Sequence, residues 1–121
     1  MSLIYIALGG GLGAVSRFLL TEYINNNISD LFPLGTLSVN ILGCFVIGCI
    51  AGYFASKSSP MYLFFVIGFL GSFTTMSAFS AQALNLLLDE KYLLATSYVF
   101  LTLLSCIIST VIAYYLFKAL A

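Results

Sequence analysis

Long apolar runs take up almost the whole of this chain, and they limit the folds that it can form. Of its 121 residues, 62% are hydrophobic and only 7% are charged, whereas a soluble domain is about 45–50% apolar. A transmembrane helix needs about 20 residues, so four spans with short connections use nearly the whole length. The sequence therefore predicts an all-α integral membrane protein with one four-helix domain, residues 1–121, in the cell membrane.

Polar connections separate the predicted spans, which cover about residues 3–24, 34–54, 61–88 and 92–117. Residues 25–33 are a loop by composition, and Pro33 suits the first turn of the second span. Ser59 is placed to cap the third span, and Pro60 to start it. Charged residues 89–91 make a tight turn before the fourth span. The first span is too long for a cleaved signal peptide, so it stays in the mature protein.

A polar segment interrupts the third span. Residues 68–82, GFLGSFTTMSAFSAQ, carry six hydroxyl or amide side chains: Ser72, Thr74, Thr75, Ser77, Ser80 and Gln82. Gly68 and Gly71 tolerate backbone conformations that interrupt a helix, so we expect a break at residues 71–75. A break at membrane depth frees carbonyl groups, which often bind ions in channels and transporters. The segment is therefore predicted to be the functional centre.

Two other spans carry polar side chains at helical spacing. Thr36, Asn40 and Gly43 form a narrow stripe on the second span, and the fourth span repeats the pattern at Tyr98, Thr102, Cys106 and Thr110. The Asn40 carboxamide can donate to an anion, or it can make an interhelical hydrogen bond. The hydroxyls can satisfy carbonyls of their own helix. Taken with the third span, the stripes resemble an uncharged polar pathway.

Small residues and one charge mark the first span. Gly9, Gly13 and Arg17 share a face in a pattern that lets two helices approach closely. Arg17 is expected to pair, to meet carbonyls or to line a wet cavity, and the alternative is that it extends to the membrane interface.

The charges indicate no preferred orientation in the membrane. Lys57 and Lys118 lie on one predicted side. Lys91 lies on the other, and Arg17 approaches that same side. Orientation follows Lys/Arg asymmetry in short loops, so the chain could insert both ways and assemble as an inverted pair in the bilayer. The absence of histidine and the few carboxylates disfavour an enzyme, and no nucleic-acid partner is expected.

Three motifs in this order make the chain resemble the Fluc/CrcB fluoride channels over its whole length: GGGLGAVSRF at 9–18, PLGTLSVNILGCFVIG at 33–48 and GFLGSFTTMSAFS at 68–80. The resemblance implies a dual-topology dimer of four-helix subunits. It also implies passive export of fluoride through two pores and a structural sodium ion at the subunit interface.

The resemblance implies roles for individual residues. Backbone carbonyls of Gly71 and Thr74 would bind the sodium. Asn40 would be the pore asparagine, Phe79 the second pore phenylalanine and Arg17 the vestibule arginine. Hydroxyl positions near or along the pore would be Thr36, Thr75, Ser77, Tyr98 and Thr102.

The family's TTFSTF reads TTMSAF here, so the sequence departs from the pattern at two positions. Met76 stands in place of the first pore phenylalanine and keeps its volume without the ring edge. Ala78 stands in place of a threonine. The partner is expected to be a second copy of the chain or a paralogue, and the substitution at Met76 would suit pairing with a differing paralogue, each chain contributing unequal pores.

Two other functions compete with this interpretation. A small multidrug exporter can also be a dual-topology four-helix protein, but it would need a carboxylate deep in its first helix for proton coupling. Only Glu22 is available there, beside the loop. A membrane assembly subunit that transports nothing would leave the aligned polar stripes unexplained.

Overall fold

Four helices organise the computed structural model, which describes residues 2–28, 32–53 and 59–120. They cover Ser2–Asn27, Leu34–Tyr53, Pro60–Leu88 and Tyr92–Leu120, and each is long and apolar enough to cross a membrane. The described residues contain no strand. The predicted all-α membrane fold is confirmed, and the protein is a multi-pass membrane protein.

The first span is longer than predicted. It continues through residues 25–27, which composition had assigned to a loop, because the Asn27 side chain donates to the Tyr23 carbonyl at 2.8 Å. The predicted cap of the third span is confirmed, since Ser59 Oγ accepts from the Tyr62 amide at 3.2 Å. Residue 54, the predicted end of the second span, and residues 57–58, which precede the third span and include Lys57, lie outside the described part of the chain.

The third span is broken at Thr74 and Thr75, a shorter interruption than the predicted 71–75. Its N-terminal arm, residues 60–73, consists of α-helix Pro60–Tyr62, π-helix Leu63–Leu70 and α-helix Gly71–Phe73, and its C-terminal arm is α-helix Met76–Leu88.

Backbone angles locate this break. Thr74 (φ −81°, ψ 151°) and Thr75 (φ −146°, ψ 120°) are both extended. Gly71 has ordinary helical angles (φ −61°, ψ −32°), so the break does not use the conformational freedom of this glycine. The interruption is instead accompanied by hydrogen bonds from the Asn40 side chain to the backbone of Thr75.

The first span packs closely against the N-terminal arm. A Cβ added at Gly9 would overlap the Phe64 carbonyl, and one at Gly13 would overlap the Phe69 carbonyl. From the opposite side, a Cβ at Gly68 would lie 2.7 Å from the Ile6 carbonyl. Because side chains larger than hydrogen do not fit, the predicted close approach of two helices on small residues is confirmed.

The second and fourth spans form another close pair. A Cβ at Gly48 would overlap the Thr110 carbonyl, and one at Gly52 would overlap the Tyr114 carbonyl. The C-terminal arm joins this pair through the buried core, which consists of Leu37, Phe79, Leu86, Ala95 and Tyr98. The break therefore lies where the two helix pairs meet.

The glycine contacts predict unequal effects of adding one methyl group to the first span. Gly13→Ala should lower the free energy of unfolding by about 1–3 kcal/mol, because the backbone of the N-terminal arm must move away. Gly11→Ala is the matched control, since nothing lies within 4 Å of its added Cβ, and it should not lower stability, because alanine has the higher helix propensity. Denaturant titration in detergent micelles measures both. Equal stability of the two variants would contradict the packing.

Candidate functional site

Asn40 holds the broken segment of the third span. Its Oδ1 accepts from the Thr75 amide at 2.8 Å, and its Nδ2 donates to the Thr75 carbonyl at 3.2 Å. One buried carboxamide thus satisfies both main-chain groups of the extended residue. The interhelical hydrogen bond, one of the two roles considered for Asn40, is therefore confirmed.

The carbonyls of Gly71 and Thr74 are among those that lose their helical donors at this break. In a continuous helix the Thr75 amide would bond the Gly71 carbonyl, but here it bonds Asn40. The Ala78 amide would bond the Thr74 carbonyl, but it donates to Thr75 Oγ1 at 3.2 Å. The carbonyls of Gly71 and Thr74 are therefore released from the i, i+4 ladder.

Other side chains near the break bond to main-chain carbonyls. Thr74 Oγ1 donates to the Leu70 carbonyl at 3.0 Å, so its hydroxyl is turned back towards the N-terminal arm. Arg17 Nε donates to the Ser72 carbonyl at 3.1 Å. The expectation that Arg17 meets a carbonyl is confirmed.

A groove of 220 Å³ runs beside the break and brings together five of the predicted pathway residues. Those five are Asn40, Thr75, Met76, Phe79 and Thr102. The remaining lining residues are Cys44, Thr74, Leu103, Cys106 and Ile107. Because the set contains amide and hydroxyl groups and no ionisable carboxylate or amine, the groove offers hydrogen bonds without a fixed charge.

Thr102 lines this groove, and its hydroxyl is buried and unused. The side chain is 5% exposed, and its Oγ1 is the buried side-chain polar atom without a hydrogen-bond partner in the described part of the chain. An unpaired hydroxyl in an apolar environment costs about 1–3 kcal/mol. A ligand in the groove that accepts a hydrogen bond would remove this cost.

Tyr98 lies on the far side of Phe79 from the break and extends the set of polar groups, here called the polar wall, as far as Gln82. It is fully buried, its ring centroid lies 5.1 Å from that of Phe79, and its hydroxyl donates to Gln82 Oε1 at 2.9 Å. Thr36 is buried as well. Neither Thr36 nor Tyr98 lines the groove itself.

A polar pocket lies at the end of the same wall. Its volume is 290 Å³, and its lining includes Gln82, Asn25, Asn85, Asp89 and Lys91. Because Gln82 both accepts from Tyr98 and lines this pocket, polar groups lead from the pocket to the buried tyrosine. Tyr98 in turn contacts Phe79, which lines the groove.

The structure does not bring every predicted site residue into the groove. Arg17 lies at the Ser72 carbonyl, and Ser77 is exposed with its hydroxyl 3.2 Å from that of Thr75. Gln82 was noted as polar but was not included among the site residues, although it lies nearly one turn beyond Phe79. Of the two groove cysteines, Cys106 belongs to the predicted stripe of the fourth span, whereas Cys44 has no sequence signal beyond its place in an apolar run.

Replacing Asn40 by Asp tests the clamp on Thr75, that is, the two hydrogen bonds between the Asn40 carboxamide and the Thr75 backbone. The carboxylate removes the Nδ2 donor and sets an oxygen against the Thr75 carbonyl, which should destabilise the fold by about 1–3 kcal/mol. Asn26→Asp makes the same chemical change at an exposed position and should have no comparable effect. Unfolding in micelles compares the two variants. Native stability of Asn40→Asp would refute the clamp.

Comparison with known proteins assigns the family. Residues 4–114 match the family model described as "CrcB-like protein, Camphor Resistance (CrcB)". The "Fluoride-specific ion channel FluC" of a Nitratiruptor species is 40% identical over 93% of this chain and 89% of its own. The protein of that name from a Sulfurovum species is 38% identical over 98% and 94% of the two chains. The chain belongs to the CrcB family.

Proposed function

We propose that this protein is a fluoride-selective channel in the cell membrane. The observation that carries the proposal is the uncharged groove beside the broken helix, which is lined by Asn40, Thr75 and Thr102, with the Thr102 hydroxyl buried and unpaired in its wall. Relatives at 38–40% identity bear the name fluoride-specific ion channel. Fluoride is small and strongly hydrated, so neutral donors can replace its water without trapping it by a fixed charge.

Several groups would favour an anion in this groove. Asn40 Nδ2 carries two hydrogens, and only one is needed for the Thr75 carbonyl. The C-terminal arm begins at Met76, so its N-terminal amides and the positive end of its dipole lie at the groove. The Phe79 ring can add an electropositive edge. Each attraction is modest, which allows the ion to leave.

Transport through such a groove would be passive. None of its lining residues is a carboxylate that could couple proton movement to transport. A negative interior potential drives an anion outward by about 2.3 kcal/mol per 100 mV. We therefore propose that the channel exports fluoride and so lowers its concentration in the cytoplasm.

Removing the Thr102 hydroxyl tests this function. In liposomes loaded with fluoride, the native protein should release fluoride but not chloride without a proton gradient. Thr102→Val should slow fluoride release by about tenfold or more, because a hydrogen bond to a charged group is worth about 1.5–3 kcal/mol. Thr96→Val is the matched control, since Thr96 is exposed on the same helix. Proton-driven drug uptake without fluoride flux would favour the multidrug exporter.

We propose further that two subunits pair in opposite orientations around a sodium ion. The carbonyls of Gly71 and Thr74 fit this role, because the bonds of Asn40 and of Thr75 Oγ1 remove their helical donors. Gly71 is exposed on the surface of the single chain, where a partner, either a second copy or a paralogue, could approach. Unwound carbonyls at the C-terminal end of a half-helix are ligands for Na⁺ in transporters, and the ion would supply positive charge there.

Dimer dissociation tests the sodium site. In detergent, sodium should slow dissociation of the native dimer relative to a bulky organic cation. Asn40→Ala should weaken this dependence, because the Thr75 amide is then free to bond the Gly71 carbonyl. Ser38→Ala on the same helix is the control. Dissociation of the native dimer at the same rate in both cations would argue against a structural ion.

A further inference from the structure

Cys44 and Cys106 face each other across the second and fourth spans. A single hydroxyl, Thr110 Oγ1, lies 2.9 Å from the Cys44 carbonyl and 3.1 Å from the Cys106 carbonyl. The two main chains are therefore within about two hydrogen-bond lengths of each other at this level. One turn further along the second span, Gly48 lies against the Thr110 carbonyl and keeps the helices close.

The thiols of both residues reach the groove described above. Cys44 and Cys106 each line it, both are partly exposed and in no disulfide bond, and Thr110 Oγ1 bridges their main-chain carbonyls. Cys49 is also partly exposed, but it does not line the groove. The pair is therefore accessible from the groove, and the third thiol is separate from it.

The chemistry of two thiols selects one class of ligand. Within the described residues, no group of three or more His, Cys, Asp or Glu side chains is gathered, so a four-coordinate site of the zinc type has no ligand set here. Two sulfur ligands suit a soft monovalent ion that accepts linear coordination, such as Cu⁺ or Ag⁺. Thiolates are the binding forms, and the metal displaces their protons.

We propose that Cys44 and Cys106 form a two-thiolate binding site for a soft monovalent metal ion in the wall of the groove. Binding converts one M⁺ and two thiols into one RS–M–SR group with a charge of −1, and it releases two protons. This places a fixed negative charge beside Asn40 and Thr102. If the proposed fluoride pathway is correct, occupancy of the site blocks it by repelling the anion.

Silver binding tests the site without reference to transport. Purified protein in detergent micelles and chloride-free nitrate buffer is titrated with Ag⁺ against a competing monothiol, and sulfur-to-silver charge-transfer absorbance reports binding. The native chain should retain one Ag⁺ per subunit. Cys44→Ala and Cys106→Ala should each bind at least about 100-fold more weakly, because two linked ligands bind far more tightly than one.

The control variant is Cys49→Ala, which removes a thiol outside the groove and should leave the affinity within about threefold of native. Equal weakening in all three single variants, or no binding by the native chain in the presence of the monothiol, would overturn the site. Flux in liposomes then separates the two proposals. Silver should stop fluoride release by the native chain and by Cys49→Ala. Release by Cys106→Ala, measured against its own rate without silver, should not fall when silver is added; block of all three would also overturn the site.

Discussion

The structure depends on how a broken helix satisfies its backbone away from water. An extended residue at membrane depth exposes an amide and a carbonyl, and each unpaired group costs several kcal/mol there. Asn40 bonds both groups of Thr75, and the hydroxyl of Thr75 caps the arm that follows. The same bonds take the helical donors away from the Gly71 and Thr74 carbonyls. The break and the proposed cation ligands therefore have one physical origin.

Around this break, the helices form two close pairs on glycine. Gly9 and Gly13 allow the backbone of the N-terminal arm to pack closely against the first span, and Gly48 allows the fourth span to pack closely against the second. The C-terminal arm places the Phe79 ring against the Tyr98 ring of the fourth span, and the uncharged groove lies beside them. Packing on small residues thus determines where the polar side chains meet. The groove acquires hydrogen-bonding capacity without an ionisable carboxylate or amine, which is the property that the proposed function needs.

Much of this arrangement could be predicted from the sequence. The four apolar runs determine the spans, and helical spacing correctly placed Asn40 and Thr102 on faces that meet the third span. Periodicity could not show that the Asn40 amide bonds the Thr75 backbone, because that depends on how two helices cross. The predicted break at residues 71–75 was also wider than the observed one at Thr74 and Thr75. Gly71 suggested a conformational freedom that the backbone does not use. Composition assigned residues 25–27 to a loop because asparagine is common in loops, but here the Asn27 side chain bonds a carbonyl of its own helix.

Amide hydrogen exchange at Thr75 tests the role of Asn40 most directly. In the native protein, reconstituted in micelles, the Thr75 amide should be protected to a degree similar to that of the Thr74 amide, which bonds the Leu70 carbonyl. In Asn40→Ala, exchange at Thr75 should accelerate by about tenfold or more, as expected for the loss of a buried hydrogen bond of at least about 1.4 kcal/mol. An unprotected Thr75 amide in the native protein, or unchanged protection in Asn40→Ala, would contradict the account.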